Sequence, residues 1–447
     1  MEERNSGKKK KPRTTNLPAE EAVPAEAETE TAEAAVPAVA RLLTDDLIVE
    51  ILSRLPARSV HRFKCVSPSW RDLIADPAHR RKLPHALAGF LYNTYNSANP
   101  RLHDFHYANV SAGAVDPSLP FLPPDEYPPV DPSLPFLPPE EYLYVPQLDT
   151  CNGLLLCLAY TAHSSPSADE DAQLASHYVV CNPATGRWVD LPPHPKVAFG
   201  DRFTARLAFD PAASSHFHVL QFAKKDEDDC VTGVDIYSSR SGAWNHRETP
   251  LVEKFSLYFG VAGVFFHGML HLLGWLHPMN SDEDALLVAV DMDGRVWKTI
   301  RVPSGGSSFG KIGLSQGCMH YAAATTPLAV VDKSNNKIKK RKKEEDTSPL
   351  ATKIWCMKDY DSKEWVLKHT VSDHELRSIT TEKYDVAAIH PDCDTIFLDS
   401  CDVDTLASFD MQRRKFRHIL QLEKNRAWQF LPYVPLFSDA FVGADGQ

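Results

Sequence analysis

One recurring pattern limits what this chain can fold into. A short apolar strand leads into a Gly or polar turn, and an aromatic residue opens the next strand. It reads Thr185-Gly186-Arg187-Trp188, Ser241-Gly242-Ala243-Trp244 and Asp293-Gly294-Arg295-Val296-Trp297. Weaker copies are Asp361-Ser362-Lys363-Glu364-Trp365 and Arg413-Arg414-Lys415-Phe416. Each copy follows an apolar run, at 178–181, 234–237, 286–290, 353–357 and 406–409. Strand, tight turn and second strand make a hairpin. Copies spaced by roughly 50 to 70 residues mark a repeat architecture.

Two other units recur in the same span. Asn152-Gly153-Leu154, His267-Gly268-Met269 and Gln316-Gly317-Cys318 each open a short apolar strand. Ala208-Phe209-Asp210-Pro211 and Ala388-Ile389-His390-Pro391 each carry one strand through a turn into another. Strands in this order, repeated about five times, suit the blades of a β-propeller. Strand pieces between 90 and 150 would complete a sixth.

Residues 43–74 have a different texture. Asp45 and Asp46 put negative charge on a first helical turn, where the helix dipole favours it, and Thr44 suits the N-cap. Leu47, Ile48, Ile51, Leu52 and Leu55 follow at helical spacing, and Pro56 ends the run. Val60, Phe63 and Val66 are expected on one face of a second short helix. Ser67 is expected to cap a third, with Pro68 at its first position, and Trp70, Leu73 and Ile74 then face one way. Three helices of about 30 residues cannot bury this apolar surface alone, which implies a partner.

The order of Leu-rich helix, Pro56, basic helix, then Cys65-Val66-Ser67, Trp70 and Arg71 resembles the F-box, the adaptor-docking module of cullin-type ubiquitin ligases. Leu43-Thr44 stands where the family usually has Leu-Pro, and Pro68 where a basic residue is common. The repeat texture resembles the kelch-like, F-box-associated domains of plant F-box proteins, and Leu431-Pro432-Tyr433-Val434-Pro435 matches their terminal pattern. The resemblance implies a fold that is α+β by segment. A small three-helix F-box would precede an all-β propeller of about six blades. The expected divisions are a disordered tail at 1–40, the F-box at 41–82, a connector with strand pieces at 83–150, the propeller at 151–438 and a short tail at 439–447.

The resemblance also implies a non-catalytic substrate receptor. Its F-box would dock a Skp-family adaptor and, through it, a cullin, and its propeller would bind a target protein that no motif identifies. Leu43, Leu47, Ile51, Leu55, Pro56, Val60, Phe63, Val66, Trp70 and Leu73 are the expected adaptor contacts or F-box core. Rival readings are a protein- or glycan-binding propeller working outside a ligase, and an enzyme using carboxylates near the propeller axis.

Composition narrows the classes further. A net charge of −11 argues against general nucleic-acid binding. No apolar run reaches the length of a membrane span, and Met1 opens no signal-peptide pattern, so the cytoplasm, the nucleus or both are expected. Basic clusters at 8–13 and 337–343 read as import signals or as solvated charge. The Pro-rich segment 115–124 recurs at 130–139 and reads as a neutral duplicated loop in preference to a docking motif. Nine cysteines without a C-x-x-C favour reduced core thiols, although Cys151 and Cys157, or Cys393 and Cys401, could meet as strand neighbours.

Catalytic, metal and cofactor signals are weak. His267 and His271 have metal-ligand spacing, but Gly268 replaces the glutamate of H-E-x-x-H and the context is a strand hairpin. His216 and His218 share one side of a strand without a third ligand. The acidic run 226–229 lacks the spaced ligands of a calcium loop, and no G-x-S-x-G or P-loop occurs. Trp188, Trp244, Trp297 and Trp365 hold one place in the repeat, which favours packing between sheets over a ligand cage.

Overall fold

The computed structural model describes residues 43–55, 59–60, 63–64, 66–80, 82–83, 86–95, 103–110, 130–161, 175–194, 204–211, 213–225, 229–277, 285–303, 310–324, 331–332, 337–338, 351–379, 384–400, 405–421 and 427–437. Helices α1 (Asp45–Ser53), α2 (Pro68–Ala75) and α3 (Pro77–Arg80) come first, and strands β1 to β27 follow. One further short helix, α4 (Asp373–Ile379), interrupts the strands.

The strands form a six-blade β-propeller. The first blade has β3 (Tyr142–Tyr144) and β4 (Gln147–Cys151) on β5 (Leu154–Thr161), then β6 (Ala175–Asn182) and β7 (Arg187–Asp190). The second runs β8 (Arg206–Ala208), β9 (His218–Lys224), β10 (Val231–Ser238) and β11 (Ala243–Glu248). In the third, β12 (Phe255–Leu257) and β13 (Val264–Phe266) share β14 (Met269–Leu276), with β15 (Ala285–Asp291) and β16 (Trp297–Arg301) outside. The fourth is β17 (Lys311–Ser315), β18 (Cys318–Ala324), β21 (Ala351–Met357) and β22 (Val366–Ser372). Between β18 and β21, β19 (Val331–Asp332) and β20 (Lys337–Ile338) pair as a ribbon. The fifth is β23 (Tyr384–Ile389), β24 (Thr395–Ser400), β25 (Thr405–Asp410) and β26 (Lys415–Gln421).

The sixth sheet closes the ring. β1 (Gly89–Tyr95) lies between β2 (His103–Asn109) and β27 (Ala427–Tyr433), antiparallel to both. The Leu431-to-Pro435 pattern is thus the end of the closing strand, and Tyr433 is fully buried there. Residues 83–150 supply strands to two blades, and the expected division at 151 falls inside β4.

Each blade is buried on both faces, which explains apolar runs where simple alternation would have left one face wet. On β5, Leu154, Leu156 and Leu158 pack toward the second blade, while Leu155, Cys157 and Ala159 pack toward the closing blade. Equivalent cores fill the other four junctions. Outer strands are wetter: β11 has no fully buried residue.

The recurring units of the sequence are the inner and outer hairpins of the first five blades. At the inner one, Asn152 (φ 46°) and Gly153 (φ 90°) form a two-residue turn of the mirror-image type that suits strand twist. The outer hairpins carry the aromatics. Trp244 Nε1 donates to Pro192 O and Trp365 Nε1 to Arg301 O, each across to the preceding blade at 3.0 Å. Trp297 is buried, and Trp188 packs against the core beneath the first blade.

Several expectations need correction. The second copy of the Pro-rich segment is not a neutral loop. Leu134 and Leu137 enter the core between closing and first blades, and Gln147 Nε2 donates to Pro132 O. Cys151 does not meet Cys157, because the Asn152-Gly153 turn sets Cys151 opposite Leu154 and Gln147 opposite Cys157. The side chain beside Cys157 is Cys181, and the described cysteines are free thiols. The first Pro-rich copy, both expected tails, the 8–13 cluster and Cys401 lie outside the described residues, as does most of the 337–343 cluster.

Candidate functional site

Residues 45–83 make a small core of their own: Ile48, Val49, Leu52, Val60, Leu73, Ile74 and Leu83 bury together, with Leu55, Phe63 and Trp70 packed against them. Ser67, extended at φ −159°, caps α2 by accepting from Trp70 N at 3.1 Å, and Pro68 follows at the first helical position. Phe63 and Trp70 rings sit 5.3 Å apart. On α1, Arg54 and Glu50 form an exposed ion pair one turn apart, which contributes little.

This core divides the expected site residues. Val60 and Leu73 are buried, and Leu55, Phe63 and Trp70 are half-buried supports. Leu47 and Ile51, one turn apart on α1, are 50% and 51% exposed, although Val49 and Leu52 on the same helix are sealed. Leu43, just before α1, and Val66, just before the α2 cap, are also exposed. Val66 therefore does not share the inward face of Val60. Pro56 lies outside the described residues. Periodicity could not separate the two groups, because Leu47, Ile51, Ile48 and Leu52 lie side by side in one continuous apolar stripe on the helix.

The histidines are spent locally. His271 Nε2 meets Tyr360 Oη at 2.7 Å and Nδ1 faces Val264 O, and burial holds its pKa down at about 4. His267 stands in the turn between β13 and β14. Among the described residues, no group of three or more potential ligands is placed to hold a metal ion. No described helix is long and apolar enough to cross a membrane.

The propeller's inner strands surround a cavity of 470 Å³, lined mostly by small and branched apolar side chains such as Val261, Ala262, Ile312 and Ile389. Lys311, Asp385 and Asp399 are the charged side chains among the described lining residues. Sequence reasoning missed this trio, because three separate strand positions converge only when the ring forms.

Comparison with known proteins agrees with this architecture. An F-box domain model matches residues 42–82. A model described as F-box protein At3g26010-like, beta-propeller, matches residues 135–433, more than half of the chain. The chain is 25% identical to F-box protein At5g07610 of Arabidopsis thaliana over 52% of its own length and 51% of that protein's. It is also 25% identical to putative F-box protein At5g42430 of the same plant, over 74% of this chain and 72% of that one. It thus spans about half the length of the first of these relatives. The crystal structure of TolB from Acinetobacter baumannii aligns with a TM-score of 0.41 and 10% identity, over 77% of this chain and 66% of that one. With an F-box at its amino-terminal end and this propeller model over most of the remainder, the chain belongs to the At3g26010-like β-propeller F-box proteins.

Proposed function

We propose that this chain is the substrate-recognition subunit of a Skp-cullin-F-box type ubiquitin ligase, acting in the cytoplasm, the nucleus or both. The F-box docks a Skp-family adaptor, and the propeller holds a target protein near the enzyme that the cullin recruits. The chain's contribution is proximity, with bond chemistry left to its partners. One observation carries the reading: Leu47 and Ile51 stay half exposed on a helix whose other face is sealed in its own core. A module this small gains nothing from exposed apolar side chains unless a partner covers them. Leu43 and Val66 extend the exposed set, while Val60 and Leu73 act as internal supports.

The test is co-purification of the full chain with a Skp-family adaptor and a cullin, wild type against Leu47→Asp plus Ile51→Asp. Burying two carboxylates in an apolar interface should cut capture at least tenfold, on the order of 1.4 kcal/mol or more. Equal capture by both forms, or no capture by the wild type, would instead support a propeller module working outside a ligase.

A further inference from the structure

The fourth blade holds two thiols side by side. His320 on β18 pairs directly with Cys356 on β21. Cys318 lies two residues before His320, so it points to the same face of the sheet, the one packed toward the fifth blade. The Cys318 and Cys356 side chains meet there, with their thiols in hydrogen-bond contact. Their surroundings differ. Cys356 is 5% exposed, whereas Cys318, at the start of β18, is only partly covered. The Gln316-Gly317 turn before it is exposed, and a Cβ added at Gly317 would meet nothing within 4 Å. Solvent reaches Cys318 beside this turn. Burial, and then the Cys318 thiol, hold the proton on Cys356, while the Lys368 and Lys358 charges work against them. Lys368 is kept in place by Asp394, and its Nζ stands 3.4 Å from His320 Nε2. The first blade supplies a contrast. Cys157 and Cys181 are also neighbouring thiols across a strand pair, but both are 0% exposed.

We propose that Cys318 and Cys356 form a redox modification site, at which hydrogen peroxide oxidises the pair to a disulfide. The Cys318 sulfur, as thiolate, attacks one peroxide oxygen. The O–O bond breaks, and the departing hydroxide takes up the proton that Cys318 released, giving water and a sulfenic acid on Cys318. The Cys356 sulfur then attacks the Cys318 sulfur. The S–O bond breaks, and hydroxide leaves with the Cys356 proton as a second water. The two thiols together lose two electrons, and one hydrogen peroxide gains them. A partly exposed thiol beside a resolving thiol is the arrangement that keeps such oxidation reversible. The new bond would tie β18 to β21 next to the Gln316-Gly317 turn. This inference is independent of the substrate-receptor reading.

The experiment treats the reduced, native full chain with hydrogen peroxide, blocks remaining thiols with N-ethylmaleimide and digests with trypsin without reductant. Mass spectrometry should find peptide 312–333, which carries Cys318, joined to 354–358, which carries Cys356, two hydrogens lighter than their sum. The yield of this link should exceed that of any Cys157–Cys181 link by about tenfold or more, since oxidation follows exposure. Dithiothreitol should restore both thiols. Cys318→Ser should leave Cys356 reduced. Cys356→Ser should leave a sulfenic acid on Cys318, trapped by dimedone, that goes on to sulfinic acid. If Cys356→Ser does not fold, the wild-type link and Cys318→Ser decide. An unreacted Cys318, sulfinic acid at Cys318 of the wild type in place of the link, equal linking of Cys157 to Cys181, or a link that forms only in urea overturns the proposal.

Discussion

Arg206 and Asp149 tie three blades together in the interior, and replacing Arg206 by Met should expose how. Both are 1% exposed. Asp149 on β4 accepts from Leu207 N of the second blade at 2.9 Å. Arg206 donates to Ala205 O at 2.8 Å and reaches into the third blade, to Phe259 O at 2.5 Å and Val261 O at 3.4 Å. Burial pushes the Asp149 carboxyl up to about 6, while the Arg206 charge pulls it back. A folded value above the unfolded one, roughly 3.9, means that this group favours the fold most at low pH. Its contribution shrinks as pH rises through 6. Arg206→Met removes the only cause opposing that trend that carries a full charge. At pH 7.5 the buried carboxylate loses the positive charge that offsets its desolvation, at a cost of about 1–3 kcal/mol. At pH 5 the carboxyl is mostly protonated, and the cost should fall by about 1–2 kcal/mol. Urea unfolding followed by tryptophan fluorescence at both pH values gives the difference, with unchanged slopes showing that the same unfolding is compared. Arg206→Met with Asp149→Asn should be more stable than Arg206→Met alone at pH 7.5. A loss at pH 7.5 below about 1 kcal/mol, or equal losses at both pH values, would refute the argument.

On α1, Leu52→Ala should cost about 2–5 kcal/mol in the same assay, whereas Leu47→Asp plus Ile51→Asp should stay within about 0.5 kcal/mol of wild type while losing the adaptor. The reverse ranking would invert the inner and outer faces of the F-box. At Gly153, φ is +90° and an added Cβ would stand 2.3 Å from Leu436 Cβ and 2.9 Å from Val434 O. Gly153→Ala should therefore lower the melting temperature, by about 1–3 kcal/mol of stability, and an unchanged melt would contradict the close approach. Burial lowers the His271 pKa to about 4, so its contribution is intact above roughly 6.5 and is lost as pH falls toward 4. The loss is on the order of 3 kcal/mol, and His271→Gln should flatten that part of the stability profile.

Local features of the fold were legible, and non-local ones were not. Short turns with Gly, Pro or polar residues, and the aromatics after the outer ones, marked the hairpins of the first five blades, because a tight turn leaves its chemistry in adjacent residues. The ring closure was not readable, since β1 and β27 share no local signal and meet through distant pairing. Leu134 and Leu137 sit in a proline-rich stretch that argues for a surface loop, yet the junction beneath the first blade had room for them. In the F-box, helical spacing located the apolar residues but not which of them faced solvent. Leu47 and Leu52 look alike in sequence, and only the packing of α2 against α1 separates them.

The closing sheet has a consequence for biosynthesis. β1 and β2 leave the ribosome before any other strand, yet the partner that completes their sheet, β27, is made after the other five blades. Through most of translation, one edge of β1 stays open to whatever strand it meets, which is the setting for mispairing between nascent chains. The helices before it, with a self-contained core, can fold at once. A truncated product lacking the final strand would therefore still carry a finished F-box, with Leu47 and Ile51 exposed, on an unsealed ring.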